Sequence, residues 1–405
     1  MYHMELLDIE ARGCFDYFFH EVNDDIYSQG HGLIRDRAPY SRDKSSIAAT
    51  GFGLAAYVIG CERGWMDKRT AKSRINRTLD TLMDKAEHIK GFFYHFLSME
   101  TAKRYKSSEV SIIDTAIALC GAITAGEYFG GPIKEKAASL FRRVDWNWFR
   151  DKDNNRFYMG YTPEEGFSGW WDFYAEQLVM YILGAGSVTH PVSGDMFYSF
   201  DRRHDRLAGP AFIHSWFGSL FTHQYSHAWV DFRGMRDKEG VDWFENSVKA
   251  THANREYCIK MSRHFKTFHG DSWGLTACQG PLGYQGRYGA APSAINDDEH
   301  MVDGTVPPAG AIGSIVFTPD QSMEALQYYY KNHSGLVGKY GLKDSYNLDV
   351  LPPWYSAGFI GIDKGISLVM AENYRTGLVW DLFMENENVS RGLELVGLAR
   401  DVDQY

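Results

Sequence analysis

Apolar residues recur at helical spacing along most of the chain, and this spacing predicts about eleven helices and few strands. Leu7, Cys14, Phe15, Phe18 and Phe19 place a first helix over residues 4–22. Ser45 and Ser46 offer a cap for a second, IAATGFGLAAYVIGCERG, whose small residues permit close approach of a neighbour. Further helices are expected over about 67–88, 107–129 and 134–144. Another is opened by Trp170 and Trp171, and the rest fall over 213–221, 241–265, 305–317, 319–331 and 363–374. GFFYHFLSME reads as a short strand or hairpin arm, and DKDNNRFYMGYTPEEGF as a loop.

The pattern separates two kinds of helix. IAATGFGLAAYVIG, IIDTAIALCGAITAG and PPAGAIGSIVF are apolar and rich in Gly and Ala, which suits inner positions. KRTAKSRINRTLDTLMDKAEHIK is charged along one face and suits an outer one. No repeat, low-complexity tract or Pro/Ser-rich linker divides the 405 residues. The prediction is therefore a single all-α domain over 1–405, a closed ring of helical hairpins with loops at one end forming the site. A helical solenoid would show a repeat of about 20–50 residues, and none is visible.

Composition narrows the function. Lys and Arg total 42 against 52 Asp and Glu, a net charge of −10 without a basic run, which argues against nucleic acid or an anionic membrane as partner. No apolar run reaches the length of a membrane span. Five scattered cysteines in no CxxC pattern read as reduced thiols. No signal-peptide pattern opens the chain, so the expectation is cytoplasmic if the N-terminus is native, and periplasmic or secreted otherwise. Aromatic residues reach 15 %, enough to line a groove as well as a core.

The chemistry centres on GWWDFYAEQLVMYILGAGSVTHP, where Glu176 follows two tryptophans. Flat rings bind sugar faces, and a low-dielectric setting keeps a carboxylic acid protonated near neutral pH. The alternative for Glu176 is an ordinary ion pair. Asp114, inside an apolar helix, is either a structural tie or pocket-facing. His223 and His227 stand four apart without the Glu of HExxH, which favours hydrogen-bonding histidines over a metal site. SWGLTACQGPLGYQGRYGAAP reads as an ordered loop presenting Trp273, Gln279, Tyr284 and Arg287 to a ligand, and its glycines lack the GK[ST] ending of a phosphate loop. No cofactor is expected. Asp363, at a helix start where backbone N–H groups stabilise an anion, suits a general base, with Asp344 as its rival.

SIIDTA, GWWDFYAEQLVMYILGAGSVTHP, FTHQYSHAWVDFRG, SWGLTACQGPLGYQGRYGAAP, DGTVPPAGAIGSIVFTP, YGLKDSYNL and GIDKGISLVMAENYRTGL together resemble the bacterial glucoamylase-like hydrolase family, which includes β-1,2-glucanases. The resemblance implies an (α/α)6 barrel and inverting hydrolysis of β-1,2-glucosidic bonds in β-1,2-glucan or sophoro-oligosaccharides. It implies Glu176 as general acid and an Asp in the GIDKG segment, Asp363, as base. Trp170, Trp171 and Trp273 would stack on sugar rings, and Asp114, His227, Gln279 and Arg287 would bond hydroxyls. Two departures stand out: Gln279 replaces the Asp usual before Gly-Pro, and Lys364 replaces the Gln usual after Asp363. Other readings remain open: a phosphorolytic or transglycosylating relative, a hydrolase for another linkage, or a catalytically silent sugar-binding protein on the same barrel. Oligomeric state is not written in the sequence.

Overall fold

Among the residues that the computed structural model describes, 2–400, twelve α-helices alternate with short strands. They are α1 (Tyr2–His20), α2 (Ile47–Glu62), α3 (Lys68–Asp84), α4 (Ile112–Phe129), α5 (Gly131–Arg143) and α6 (Leu178–Gly186). After these come α7 (Trp243–Met261), α8 (Pro308–Ile312), α9 (Pro319–Asn332), α10 (Gly361–Arg375), α11 (Leu378–Met384) and α12 (Glu387–Val396).

The apolar helices form the inner ring. α2 packs on α4 and α10, α4 on α6, and α10 on α8. Residues 220–230, an irregular helical stretch, bridge α6 to α8. The Ser226 hydroxyl donates to the Glu176 carbonyl (2.6 Å) and accepts from the Val179 N–H (3.1 Å), while the Gln224 amide donates to the Gly310 carbonyl and the Ser314 hydroxyl (both 2.8 Å). Outside this ring α1 covers α10, α3 covers α2, α5 covers α4, α12 covers α6, α9 covers α8, and α7 covers the turn at Leu220–His223. The architecture is an (α/α)6 barrel, with one buried cluster running from Leu6 to Leu398.

Small residues allow this closeness. At the α2–α4 crossing a Cβ on Gly121 would lie 1.9 Å from the Gly51 carbonyl oxygen, so neither helix tolerates a side chain there. Ser46 caps α2 through the Ala49 N–H (3.2 Å), as its position predicted. α4 is 18 residues long and apolar enough to cross a membrane by length and composition, contrary to the expectation that no run reaches that length. With 72 % of it buried inside the barrel, it is a core helix.

Four local expectations are corrected. The two tryptophans do not open a helix: Trp170 ends β4 (Gly166–Trp170), and α6 begins at Leu178. β4 pairs antiparallel with β3 (Arg156–Thr162), which also pairs with β1 (Val110–Ser111) and β2 (Arg150–Asp151). Tyr158, Tyr161 and Phe167 pack across this sheet, so aromatic cross-strand pairs override the loop-like composition. Residues 213–221 are not a helix, because Gly218 turns at φ +61° against the Ala290 carbonyl. The helix expected over 305–317 contracts to α8, with Pro307 and Pro308 at its start. α11 and α12 were not anticipated; Gly377 at φ +73° separates α11 from α10.

Candidate active site

The N-terminal ends of three inner helices, α4, α6 and α10, open into one cavity of ≈ 500 Å³, and each brings a carboxylate to its wall: Asp114, Glu176 and Asp363. Helix N-termini present unpaired N–H groups and a partial positive charge, which is why acids collect there.

Asp114 lies in the first turn of α4. The Ser111 hydroxyl, which caps the helix by accepting from the Asp114 N–H (3.2 Å), donates back to Asp114 Oδ2 (2.5 Å). His95 bridges two acids of the wall, with Nδ1 2.8 Å from Glu109 Oε1 and Nε2 3.6 Å from Asp114 Oδ1. Burial opposes a charged imidazole, but Asp114 and Glu109 carry the His95 pKa above its ordinary value. Burial raises Asp114 despite His95 and Ser111.

Glu176 sits two residues ahead of α6, its backbone carbonyl fixed by Ser226. Burial pushes its pKa up to about 7, with the charge of Asp114 adding to the shift. A carboxylic acid still protonated near neutrality is suited to donating a proton.

Asp363, third residue of α10, faces the cavity with Asp344 hydrogen-bonded behind it. Asp344 accepts from the Gln279 N–H (2.7 Å) and the Ser345 hydroxyl (3.4 Å). Burial and the neighbouring Asp344 raise Asp363 well above the carboxylate range; burial raises Asp344 too, but its donors hold it down. The two therefore share a proton, as close carboxylates must, with the charge resting on the pair. Arg37 lowers both. Its guanidinium lies 4.4 Å over the Tyr284 ring and 3.4 Å from Gln279 Oε1.

A second cavity of ≈ 340 Å³ adjoins the first at Glu176, Trp171, Met159 and Phe221. Trp170, Phe173, Tyr174, Trp216 and Phe217 form its remaining aromatic wall.

The Glycoamylase family model, described as "Putative glucoamylase", matches residues 169–387, more than half of the chain. The chain belongs to the Glycoamylase family. An exo beta-1,2-glucooligosaccharide sophorohydrolase (non-reducing end) of Parabacteroides distasonis is 29 % identical over 97 % of the chain, which spans 58 % of that relative's length. A solved structure of an endo-beta-1,2-glucanase from Chitinophaga pinensis, in complex with sophorotriose and glucose, superposes with a TM-score of 0.87 at 26 % identity, covering 98 % of both chains. A Bacteroides uniformis protein crystallised under the same description as the family model gives 0.87 at 28 %, again over 98 % of both.

Several residues that the sequence suggested as sugar contacts in this Glycoamylase member lie elsewhere. Trp273 is wholly buried in the core, its carbonyl accepting from the Tyr329 hydroxyl (2.8 Å), so its ring offers no face to a sugar. His227 is buried behind the barrel wall, 3.0 Å from the Ser247 hydroxyl, and burial lowers its pKa to about 3. His223 is equally buried, also at about 3. Among the described residues no group of three or more His, Cys, Asp or Glu side chains is placed to hold a metal. Arg287 is exposed and paired with Glu299 (2.9 Å). Gln279 is on β5 (Cys278–Gly280), off the cavity wall, and acts through its backbone on Asp344; Tyr284, on β6 (Gly283–Gln285), lines the cavity. Trp171 lines both cavities, and Trp170 only the second, its indole N–H donating to Asp151 (2.9 Å). Asp344 is buried and absent from the wall that Asp363 helps to form. His95, Glu109 and Arg37 were missed. The one available signal was Glu109 directly before the short strand that ends in the Ser111 cap.

Proposed function

We propose that the protein is an inverting glycoside hydrolase of β-1,2-glucan or sophoro-oligosaccharides. The observation that carries this reading is that Glu176, its carboxyl raised to about 7 by burial, and Asp363, backed by Asp344, face one cavity. The names of the Parabacteroides and Chitinophaga relatives support the linkage.

Glu176 donates its proton to the glycosidic oxygen as the bond to the anomeric carbon lengthens. The Asp344–Asp363 pair, with Asp363 at the wall, receives the proton of the attacking water on the opposite face of the sugar. Asp344 keeps the pair anionic through the Gln279 N–H and the Ser345 hydroxyl. Trp171 supplies a flat apolar face beside the acid, and Asp114 with His95 offers polar groups for sugar hydroxyls.

The test is hydrolysis of linear β-1,2-glucan and sophoro-oligosaccharides in phosphate-free buffer, with the product anomer followed by proton NMR. Initial release of the α-anomer, lost in Glu176→Gln, is expected. A Glu176→Gln variant as active as the wild type removes Glu176 as the acid, and initial release of the β-anomer excludes inversion.

A further inference from the structure

Glu176 stands where two cavities of different chemistry meet. The first holds Asp363, Asp114, Glu109 and His95. The second holds none of these. An acid that protonates a leaving oxygen while its partner activates water from the other face separates the two halves of a substrate. Because Asp363 is in the first cavity, the sugar that is attacked belongs there, and the leaving group enters the second. This orientation rests on the function proposed above.

The second cavity is poorly equipped to bond sugar hydroxyls. Trp170 and Trp216 present partly open rings, 47 % and 36 % exposed, and Phe173 meets Trp216 edge to face at 5.3 Å. Its hydroxyls are engaged with the protein. Thr222 donates to the Ser219 carbonyl (2.5 Å) and meets the Ser215 hydroxyl (3.0 Å), while Ser219 donates to the Tyr288 carbonyl. Besides Glu176, the charged side chain on this wall is Asp172, exposed to solvent, which disfavours an anionic group. Aromatic walls with satisfied polar groups gain most from covering apolar surface.

We propose that this second cavity is an aglycone site for neutral apolar groups, so that the enzyme cleaves β-sophorosides of alkyl or aryl alcohols as well as sophoro-oligosaccharides. In that reaction the water oxygen bonds to the anomeric carbon as the bond from that carbon to the aglycone oxygen breaks. The bonding electrons stay on the aglycone oxygen, which takes the proton of Glu176 and leaves as the alcohol. The proton of the water passes to the Asp344–Asp363 pair, and sophorose is the second product.

The experiment compares kcat/KM for methyl and octyl β-sophoroside, the latter below its micelle concentration, with sophorotetraose as a control. Both glycosides release a primary alcohol of similar acidity, so the ratio reads aglycone binding. The expected ratio is about tenfold in favour of octyl, falling toward one in Trp216→Ala and in Trp170→Ala. Sophorotetraose cleavage with an octyl-to-methyl ratio of one in the wild type overturns the aglycone site and leaves the hydrolase reading standing. So does a tenfold ratio that survives both substitutions. Failure to cleave sophorotetraose or linear β-1,2-glucan overturns the hydrolase reading itself.

Discussion

Asp363 and Lys364 are neighbours on α10, both almost fully buried, yet they enter opposite kinds of surroundings. Lys364 turns toward α1, where its Nζ lies 2.9 Å from Glu10 Oε1, and Glu10 Oε2 accepts from the Tyr330 hydroxyl (2.7 Å) and the Leu342 N–H (2.9 Å). Charge is cancelled and both carboxylate oxygens are bonded. Asp363 instead turns toward the cavity and a second carboxylate, a like-charge pair tempered by Arg37 and Lys364. Of two adjacent buried charges, the one with a bonded counter-ion holds the fold together. The one left against its own sign stores the proton affinity that acid–base chemistry uses.

Substitutions sharpen that contrast. The largest effects are expected from Glu176→Gln and Asp363→Asn, each lowering kcat on β-1,2-glucan by roughly 10³-fold. Asp363→Asn should melt no lower than the wild type at pH 7 to 8. The folded state holds Asp363 above the unfolded carboxylate value, so ionising it costs stability as pH rises, and removing it relieves that cost. A clear fall in melting temperature would mean that Asp363 is a structural residue like Lys364. The reverse pattern is expected of Lys364→Met, which leaves Glu10 without its counter-ion. Chemical denaturation should show a loss of about 3–5 kcal/mol.

Asp344→Asn should act between these extremes, lowering kcat roughly tenfold to hundredfold. It also turns the proton-sharing pair into a lone Asp363 carboxyl, so the acid limb of the kcat/KM profile should shift; an unmoved limb would dissociate the two residues. The smallest effect is a shape. Glu176 must be protonated to act, and its pKa is near 7, so wild-type kcat/KM should fall as pH rises through about 7. A basic limb that persists unchanged in Glu176→Gln would assign it to another group.

The inner helices of the barrel are legible in the sequence because close packing demands Gly and Ala at fixed spacing, as at Gly51 and Gly121. Asp363 is legible at a helix start because helix N-termini favour acids. The side-chain environment of a ring is not legible in the same way. Trp171 follows Gly169 by two residues and Trp273 directly precedes Gly274, and only tertiary packing puts one on a cavity wall and the other wholly in the core. His227 failed for the same reason, since a buried imidazole bonded to Ser247 has the same local sequence as a ligand-facing one. Arg37, on a two-residue strand, and His95, between short strands, lie outside the motifs they join, brought in by pairings such as Arg37 with Ile360, which no local periodicity announces.

The packing of α12 on α6 bears on how the protein matures. α6, the helix behind Glu176, is backed by residues 387–396, so its outer cover leaves the ribosome roughly two hundred residues after α6 itself. Until then the apolar run Leu178–Gly186 lacks its outer partner. A nascent chain stalled within that interval therefore exposes a sticky helix, and it should be a stronger client for holding chaperones than one stalled before α6 emerges.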